Sequence, residues 1–423
     1  MQRTASAKTC ETAKVRGVTR AVCRVTISAP APDPRENGQK RCFNLRLEPL
    51  KRGTVIKFDG ALRGAIPDER PENSRGTPLG GATPLQSPLT GDSFAPRSRM
   101  EPWPYNFMNE IIVVCGAAGY VGRNLVKALS QKKPDATIVA ISRDGVLPTE
   151  VSSAKNVSSV ALDLFDPAGL DLALSGATHV YNLAAKVGGI GYVSDHKAEC
   201  MSSAAININL LRALPDSVQG YFFTSSSCVY SSSCSPLAET SVDPRNLSGY
   251  GLEKYFSEQV CTAYGRDKGL PVRIGRLHTV YGPGDFRGGC RDHFPTAMAR
   301  GVAYAKLIGD HSIKILGDGE QRRSLLYIDD AVEGIQRIMA GGYCEPINLG
   351  SSEYCTVNTT VSELEAAAGL TLTRFYCKTG ERGVQHKTTD NSLIRRLLAW
   401  EPMTPSKAGL SALYRDAWDL EIS

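Results

Sequence analysis

No stretch of this 423-residue chain stays apolar for the ~20 residues that a membrane-spanning helix requires. None of its 12 cysteines falls in a C-x-x-C pair, and no histidine stands at a zinc-ligand spacing from two of them. Past residue 107 there is also no surplus of positive charge. Residues 1–107 carry 18 Lys and Arg against 10 Asp and Glu, a net +8, while the rest carries 31 against 33, a net −2. A nucleic-acid reader needs a basic face on its folded part, so nucleic acid is not an expected partner. Neither a membrane nor a metal is expected. Cysteines inside apolar runs, such as Cys115 and Cys261, read as free buried thiols in a reducing compartment, which places the protein in the cytoplasm.

The basic charge belongs to a leader, residues 1–107. Twelve of the 24 prolines lie there, and the run Pro67–Arg99 is rich in Pro, Gly, Ser and charge. Such a composition buries too little apolar surface to offset the entropy of ordering. The expectation is a mostly disordered segment with a short strand near Thr54–Phe58. Its first 28 residues hold six Lys and Arg and a single acid, Glu11, which weakly resembles an organelle transit peptide. Met108 immediately precedes the first strong strand, so a downstream start is an equal reading, and a regulatory tail is the remaining one.

Residues 108–275 read as a dinucleotide-binding half. Ile111–Cys115 is a short buried strand, Gly116-Ala-Ala-Gly119-Tyr120-Val121-Gly122 a glycine-rich turn, and Asn124–Leu129 the start of a helix. That order brings backbone amides at a helix N-terminus to a diphosphate. The second strand, Ala136–Ile141, ends in Ser142-Arg143-Asp144. Ser142 and Arg143 suit a ribose 2′-phosphate and hence NADP, whereas Asp144 keeps NAD open. Asp163, at the end of an expected strand Val160–Leu164, either lies near the adenine or caps the following turn. Strands His179–Ala185 and Gly220–Thr224 alternate with helical runs such as Ala204–Ala213. This alternation predicts an α/β fold with a doubly wound parallel sheet of the Rossmann type.

The chain is organised around the segment at the end of that last strand. Thr224-Ser225-Ser226-Ser227-Cys228 closes the strand in hydroxyls and a thiol, and Tyr250 and Lys254 then open a helix four residues apart, on one face. A lysine ammonium beside a phenol favours phenolate. Together with the Ser226 hydroxyl, this set suits moving a proton on a sugar hydroxyl while a nicotinamide takes the hydride. Cys228 serves either a separate purpose or none, as an inert buried thiol.

These residues carry a resemblance. Gly116–Gly122, Asn182-Leu-Ala-Ala185, Ser225–Cys228 and Tyr250-x-x-x-Lys254 resemble the extended short-chain dehydrogenase/reductase family of nucleotide-sugar enzymes. Arg273-Ile-Gly-Arg276, Gly317-Asp-Gly319-Glu-Gln321-Arg-Arg323-Ser324, Tyr327–Gly334, Glu345–Gly350 and Thr389–Ile394 are similar to the GDP-mannose 3,5-epimerases. That similarity runs from about Asn109 to the C-terminus. Asn182–Ile190 and the Ser142-Arg143 end resemble GDP-L-fucose synthases, which are NADP-dependent epimerase-reductases. Three positions depart from the epimerase pattern: His293 stands for its Lys, Thr279 for its Asn and Lys387 for its Arg.

The resemblance implies a GDP-sugar substrate, a tightly bound NAD or NADP regenerated each cycle, a homodimer, and a smaller nucleotide-sugar-binding α/β region within residues 276–423. It implies cofactor contacts at Gly116, Gly119, Tyr120, Val121, Gly122, Ser142, Arg143, Asp163, Tyr250 and Lys254. Substrate contacts are implied at Gly188, Ser226, Ser227, Cys228, Thr279, Asp292, His293, Gln321, Arg323 and Lys387. Arg322 and Arg323 read either as a solvated pair or, as the resemblance implies, together toward the diphosphate; Arg287 is expected on a mobile glycine-rich loop, and His278 and His311 in structural places. Tyr250, Lys254 and Ser226 would oxidise and re-reduce C4, Cys228 would take a proton from C3 or C5, and His293 would return one. A thiol base needs a cation beside it, such as protonated His293. A helix-capping role for His293 stands beside this one. Other readings are a GDP-4-keto-6-deoxymannose epimerase-reductase, a dehydratase, and a non-catalytic scaffold. A dehydratase usually places Asp-Glu where this chain has Ser227-Cys228.

Overall fold

The computed structural model describes residues 110–231, 236–247, 249–285, 288, 291–377 and 385–422, and three backbone strands in the leader. A parallel sheet forms its centre. Seven strands run in the order Val157–Ala161, Thr137–Ser142, Ile111–Cys115, His179–Asn182, Gly220–Ser226, Val272–Leu277 and Ile347–Leu349. The order reverses at Ile111–Cys115, which opens a crevice at the carboxyl ends of the strands. Val55–Lys57 extends the sheet beside Val157–Ala161, within the stretch where a leader strand is expected. Val18–Arg24 pairs with it in parallel, and Thr9–Val15 antiparallel with Val18–Arg24. The remainder of the leader, and with it the expected disorder, lies outside the described residues.

Side-chain alternation explains why the strands read as unbroken apolar runs. Ile112, Val114 and Phe222 join one buried cluster, packed with the helices Tyr120–Lys132 and Ile328–Ala340. Val113, Cys115, Tyr221 and Phe223 join the cluster on the other face, with the helices Ser203–Ala213 and Gly249–Lys268. Cys115 and Cys261 are free thiols in that second cluster, and burial pushes both up to about 12. The third strand begins and ends three residues before the expected Val160–Leu164. Asp163 ends it: its carboxylate accepts from Phe165 N at 3.1 Å and its carbonyl from Asp166 N at 3.0 Å, closing a turn.

The C-terminal part packs the helices Phe294–Ile308, Val357–Ala368 and Ser406–Ile422 around a third apolar cluster. Beside them Arg322–Tyr327 pairs with Thr279–Tyr281, Tyr354–Thr356 and His386–Lys387. The chain passes between the two parts more than once, because Ile347–Leu349 and the helix Ile328–Ala340 return to the large sheet. That return brings residues from distant segments to one crevice.

Candidate active site

A cavity of about 1240 Å³ lies along the carboxyl ends of the strands. The expected catalytic, cofactor and substrate contacts line it from Gly116 to Lys387, with Arg322 the exception among the described residues. At one end the glycine turn is held by Gly116 N and Ala117 N, which both donate to Ile141 O at 3.0 Å. A Cβ on Gly122 would collide with the Gly116 carbonyl, so glycine there lets the helix begin against the strand. Gly119 is the N-cap of Tyr120–Lys132, whose first turn holds no acidic residue. Amides and a positive helix end facing a cavity suit a diphosphate. The Tyr120 side chain is packed in the core at 4 % exposure, so its contribution is backbone.

The second strand ends in a buried Ser142 whose Oγ lies 3.4 Å from Asp144 Oδ1, and Val146 N donates to the same oxygen at 3.1 Å. Asp144 is thereby engaged in its own loop, while Arg143 is exposed at the cavity rim. Asp163 lines the cavity as well as holding its turn, so its two readings coexist. Cradle, buried lysine and ribose end fit a nicotinamide dinucleotide.

In the middle of the cavity Tyr250 and Lys254 share a face of Gly249–Lys268. Lys254 Nζ is 5.6 Å from the Tyr250 ring centroid and 4.7 Å from that of Phe223. It is 3.7 Å from Glu253 Oε2, with the lysine side chain 3 % exposed. Gly251, between them, is a residue that sequence reasoning passed over. A Cβ there would strike the Cys228 carbonyl oxygen, so glycine lets the helix approach the thiol loop.

That loop is a 3₁₀ turn, Ser227–Val229, capped by Ser226 Oγ, which accepts from Cys228 N at 3.2 Å. Behind it stands a buried polar frame. Arg276 donates to both oxygens of Glu258 at 2.8 and 2.7 Å, to Tyr230 Oη at 3.0 Å and to Glu239 O at 2.7 Å. Ser225 also donates to Glu258, and Tyr230 Oη donates to Asn348 Oδ1 at 2.6 Å. The second arginine of the Arg273–Arg276 motif thus braces the thiol loop from behind.

At the far end Lys387 Nζ stands 3.8 Å from Cys228 Sγ. The cation placed against the thiol is therefore Lys387, where protonated His293 was the expected partner. Arg323 is half-buried and interacts electrostatically with Cys228. Burial pulls the guanidinium below its ordinary value, and Cys228 opposes that shift. Arg322 does not accompany it: strand alternation turns it outward over the Tyr354 ring, 5.1 Å from the centroid. Gln321 is buried and donates to Leu316 O at 3.1 Å.

His293 is the N-cap of Phe294–Ile308 but makes no side-chain cap, and its Nδ1 lies 3.7 Å from Asp285 Oδ2. The Asp292 carboxylate accepts from Gly288 N at 2.8 Å and Arg300 Nη1 at 2.9 Å, so it shapes the loop that carries His293. His278 also lines the cavity, only 4 % exposed, with Nε2 unpartnered. Burial first, and Lys387 second, lower it to about 3, which keeps it neutral. A histidine one residue before the expected contact Thr279 was the available sequence signal. Thr279 and Gly188 line the cavity, His311 is exposed on a loop, and Arg287 lies outside the described residues. Among the described residues there is no metal-holding cluster, and no helix long and apolar enough to cross a membrane.

The sequence matches the NAD dependent epimerase/dehydratase family over residues 112–350. It is 31 % identical over 332 residues to GDP-mannose 3,5-epimerase 1 of Oryza sativa subsp. japonica, covering 76 % of this chain and 85 % of that one. The GDP-mannose 3,5-epimerase of Arabidopsis thaliana is 34 % identical over 249 residues, 56 % of this chain and 64 % of that one. Among solved structures, a UDP-glucuronic acid 4-epimerase from Bacillus cereus, in complex with UDP-glucuronic acid and NAD, aligns with a TM-score of 0.63 at 26 % identity, over 73 % of this chain and 99 % of its own. The UDP-glucose 4-epimerase of Thermotoga maritima has the same fold, with a TM-score of 0.65 at 22 % identity, over 74 % and 99 %. With a dinucleotide cradle, a Tyr250–Lys254 pair and a family match spanning most of the sheet, the chain belongs to the NAD dependent epimerase/dehydratase family and is an enzyme of its nucleotide-sugar epimerase kind.

Proposed function

We propose that the protein is a GDP-mannose 3,5-epimerase, and that Cys228 makes it one. The observation that carries this reading is a half-buried thiol on the cavity wall, at the end of the strand that also delivers Ser226, with Lys387 3.8 Å away. A dinucleotide bound in the cradle supplies the hydride acceptor and donor that C4 chemistry requires. Tyr250 takes the proton of the C4 hydroxyl, Lys254 supports the phenolate, and Ser226 donates to the same oxygen. A ketone at C4 acidifies the hydrogens on C3 and C5. Cys228 removes one of them from one face and His293 delivers one to the other. Each such acid or base contributes roughly 10²–10⁴ in rate. Arg323 binds the diphosphate, an assignment that suits a guanidinium. Exposed Arg143 and the engaged Asp144 favour NADP over NAD. Residues 108–275 hold the dinucleotide and 276–423 most of the sugar nucleotide, in a cytoplasmic homodimer.

The test is incubation of purified protein with GDP-mannose in deuterated water without added reductant. Deuterium at C3 and C5 in new GDP-hexose epimers is the expected result. His293 and Arg143 favour a second reading, a GDP-4-keto-6-deoxymannose epimerase-reductase. Turnover of that 4-keto sugar alone, with consumption of NADPH, would replace the first reading by the second.

A further inference from the structure

Lys387 reaches Cys228 across 159 residues of sequence, and its ammonium is the charged group the structure places against the sulfur, at 3.8 Å. The approach is built into the sheet. His386–Lys387 adds to the edge of Arg322–Tyr327 in parallel register, with Lys387 opposite Arg323. Thr389 N then ties the following residues down by donating to Ser324 Oγ at 2.9 Å. On the other side the Cys228 backbone is held by the Ser226 cap on its amide and by the close approach of Gly251 to its carbonyl.

We infer that Lys387 is a positioning residue for the thiol: it holds Cys228 as the thiolate that accepts the substrate's C–H proton, instead of serving only as a substrate contact. This rests on the reading of Cys228 as the proton-transfer base. The other groups around the sulfur fit that assignment. Arg323, from the neighbouring strand, adds a second positive charge. Cys200, on the helix Lys197–Met201, faces Cys228 as a thiol. Glu253, on the helix behind the loop, faces Cys200 and pairs with Lys254. His278 is neutral and adds no charge. A cation at contact distance in a partly desolvated site stabilises a thiolate much more than it would in water. In the step itself the thiolate takes the proton from carbon and becomes the thiol, and the electron pair passes into the adjacent ketone as an enolate. Protonation from the opposite face and return of the sulfur's proton to solvent complete the exchange.

The experiment measures alkylation of the full-length protein by iodoacetamide across pH, without any sugar, by peptide mass spectrometry. Cys228 is followed against Cys344, an exposed thiol of the same chain, as internal reference. In Lys387→Met the Cys228 rate at neutral pH falls about tenfold relative to Cys344, and the profile moves to higher pH. In Lys387→Arg, which keeps the charge, the rate stays near that of the unaltered protein. Dinucleotide binding, read by fluorescence, reports that both variants are folded. A Cys228-to-Cys344 ratio unchanged in Lys387→Met would overturn the inference, as would Lys387→Arg falling as far as Lys387→Met. If the ratio behaves as expected while GDP-mannose shows no deuterium exchange, the lysine–thiol pairing stands and the epimerase reading fails.

Discussion

At one end of the cavity a single run of seven residues, Gly116–Gly122, presents backbone to the solvent space. At the other, side chains arrive from five places: Ser226–Cys228, Thr279, Asp292–His293, the strand end with Gln321 and Arg323, and Lys387. The first end is one local solution, a strand–turn–helix whose backbone amides suit a diphosphate. The second exists only after folding, and it offers side chains brought from distant segments. A local backbone cradle thus stands beside a wall that the tertiary fold assembles. The two ends should fail separately when mutated.

The largest separation comes from Cys228→Ala. Deuterium exchange at C3 and C5 should fall about 10²–10⁴-fold while dinucleotide affinity is unchanged; exchange at the original rate would remove the thiol from the proposed mechanism. Next is Arg276→Met, aimed at the frame between the ends. The Arg276–Glu258 pair is almost wholly buried, with side chains 5 % and 0 % exposed. Leaving Glu258 unpaired should cost about 3–5 kcal/mol in a urea titration. A loss near that of a surface ion pair would show that the frame is not what holds the thiol loop.

Gly122→Ala attacks the cradle. The new methyl meets the Gly116 carbonyl, so the turn must shift, at about 1–3 kcal/mol. Dinucleotide affinity should drop in a fluorescence titration, while Cys228 alkylation without cofactor stays as it was. The smallest effect is one of pH. His278 sits at about 3 in the folded protein against an ordinary 6.5. The unfolded chain therefore takes up a proton that the folded one refuses, and stability is lost as pH falls from 6.5 toward 3. Replacing His278 by Gln should flatten the decline of the urea midpoint between about pH 7 and about pH 5. An unchanged slope would assign that decline to other groups.

The same contrast decides what the sequence discloses. Ile111–Cys115 and Gly220–Ser226 are buried on both faces, so their apolar runs announce a parallel sheet. Gly116–Gly122 is legible because all its parts are adjacent. Tyr250 and Lys254 are legible because helical spacing alone brings them together. Lys387 and Cys228 share no local pattern, and only the pairing of His386–Lys387 with Arg322–Tyr327 makes them neighbours. Arg322 and Arg323 are separable in the sequence itself, since a strand period of two sends adjacent residues to opposite faces. Arg276 stands in a motif whose spacing says nothing of its role, and only folding brings Glu258, Tyr230 and Glu239 around its guanidinium to make it a brace.

Ser226 gives its oxygen to the Cys228 amide, and this restricts what its hydroxyl can still offer a ligand. With one lone pair taken by that amide, one lone pair and the O–H remain for a ligand. On the proposed mechanism the O–H donates to the oxygen on C4, and it does so more strongly to an alkoxide than to a neutral hydroxyl. The turn that seats the thiol thereby also seats the hydroxyl that meets C4, so a shift of those three residues would disturb the redox and the proton-transfer steps together.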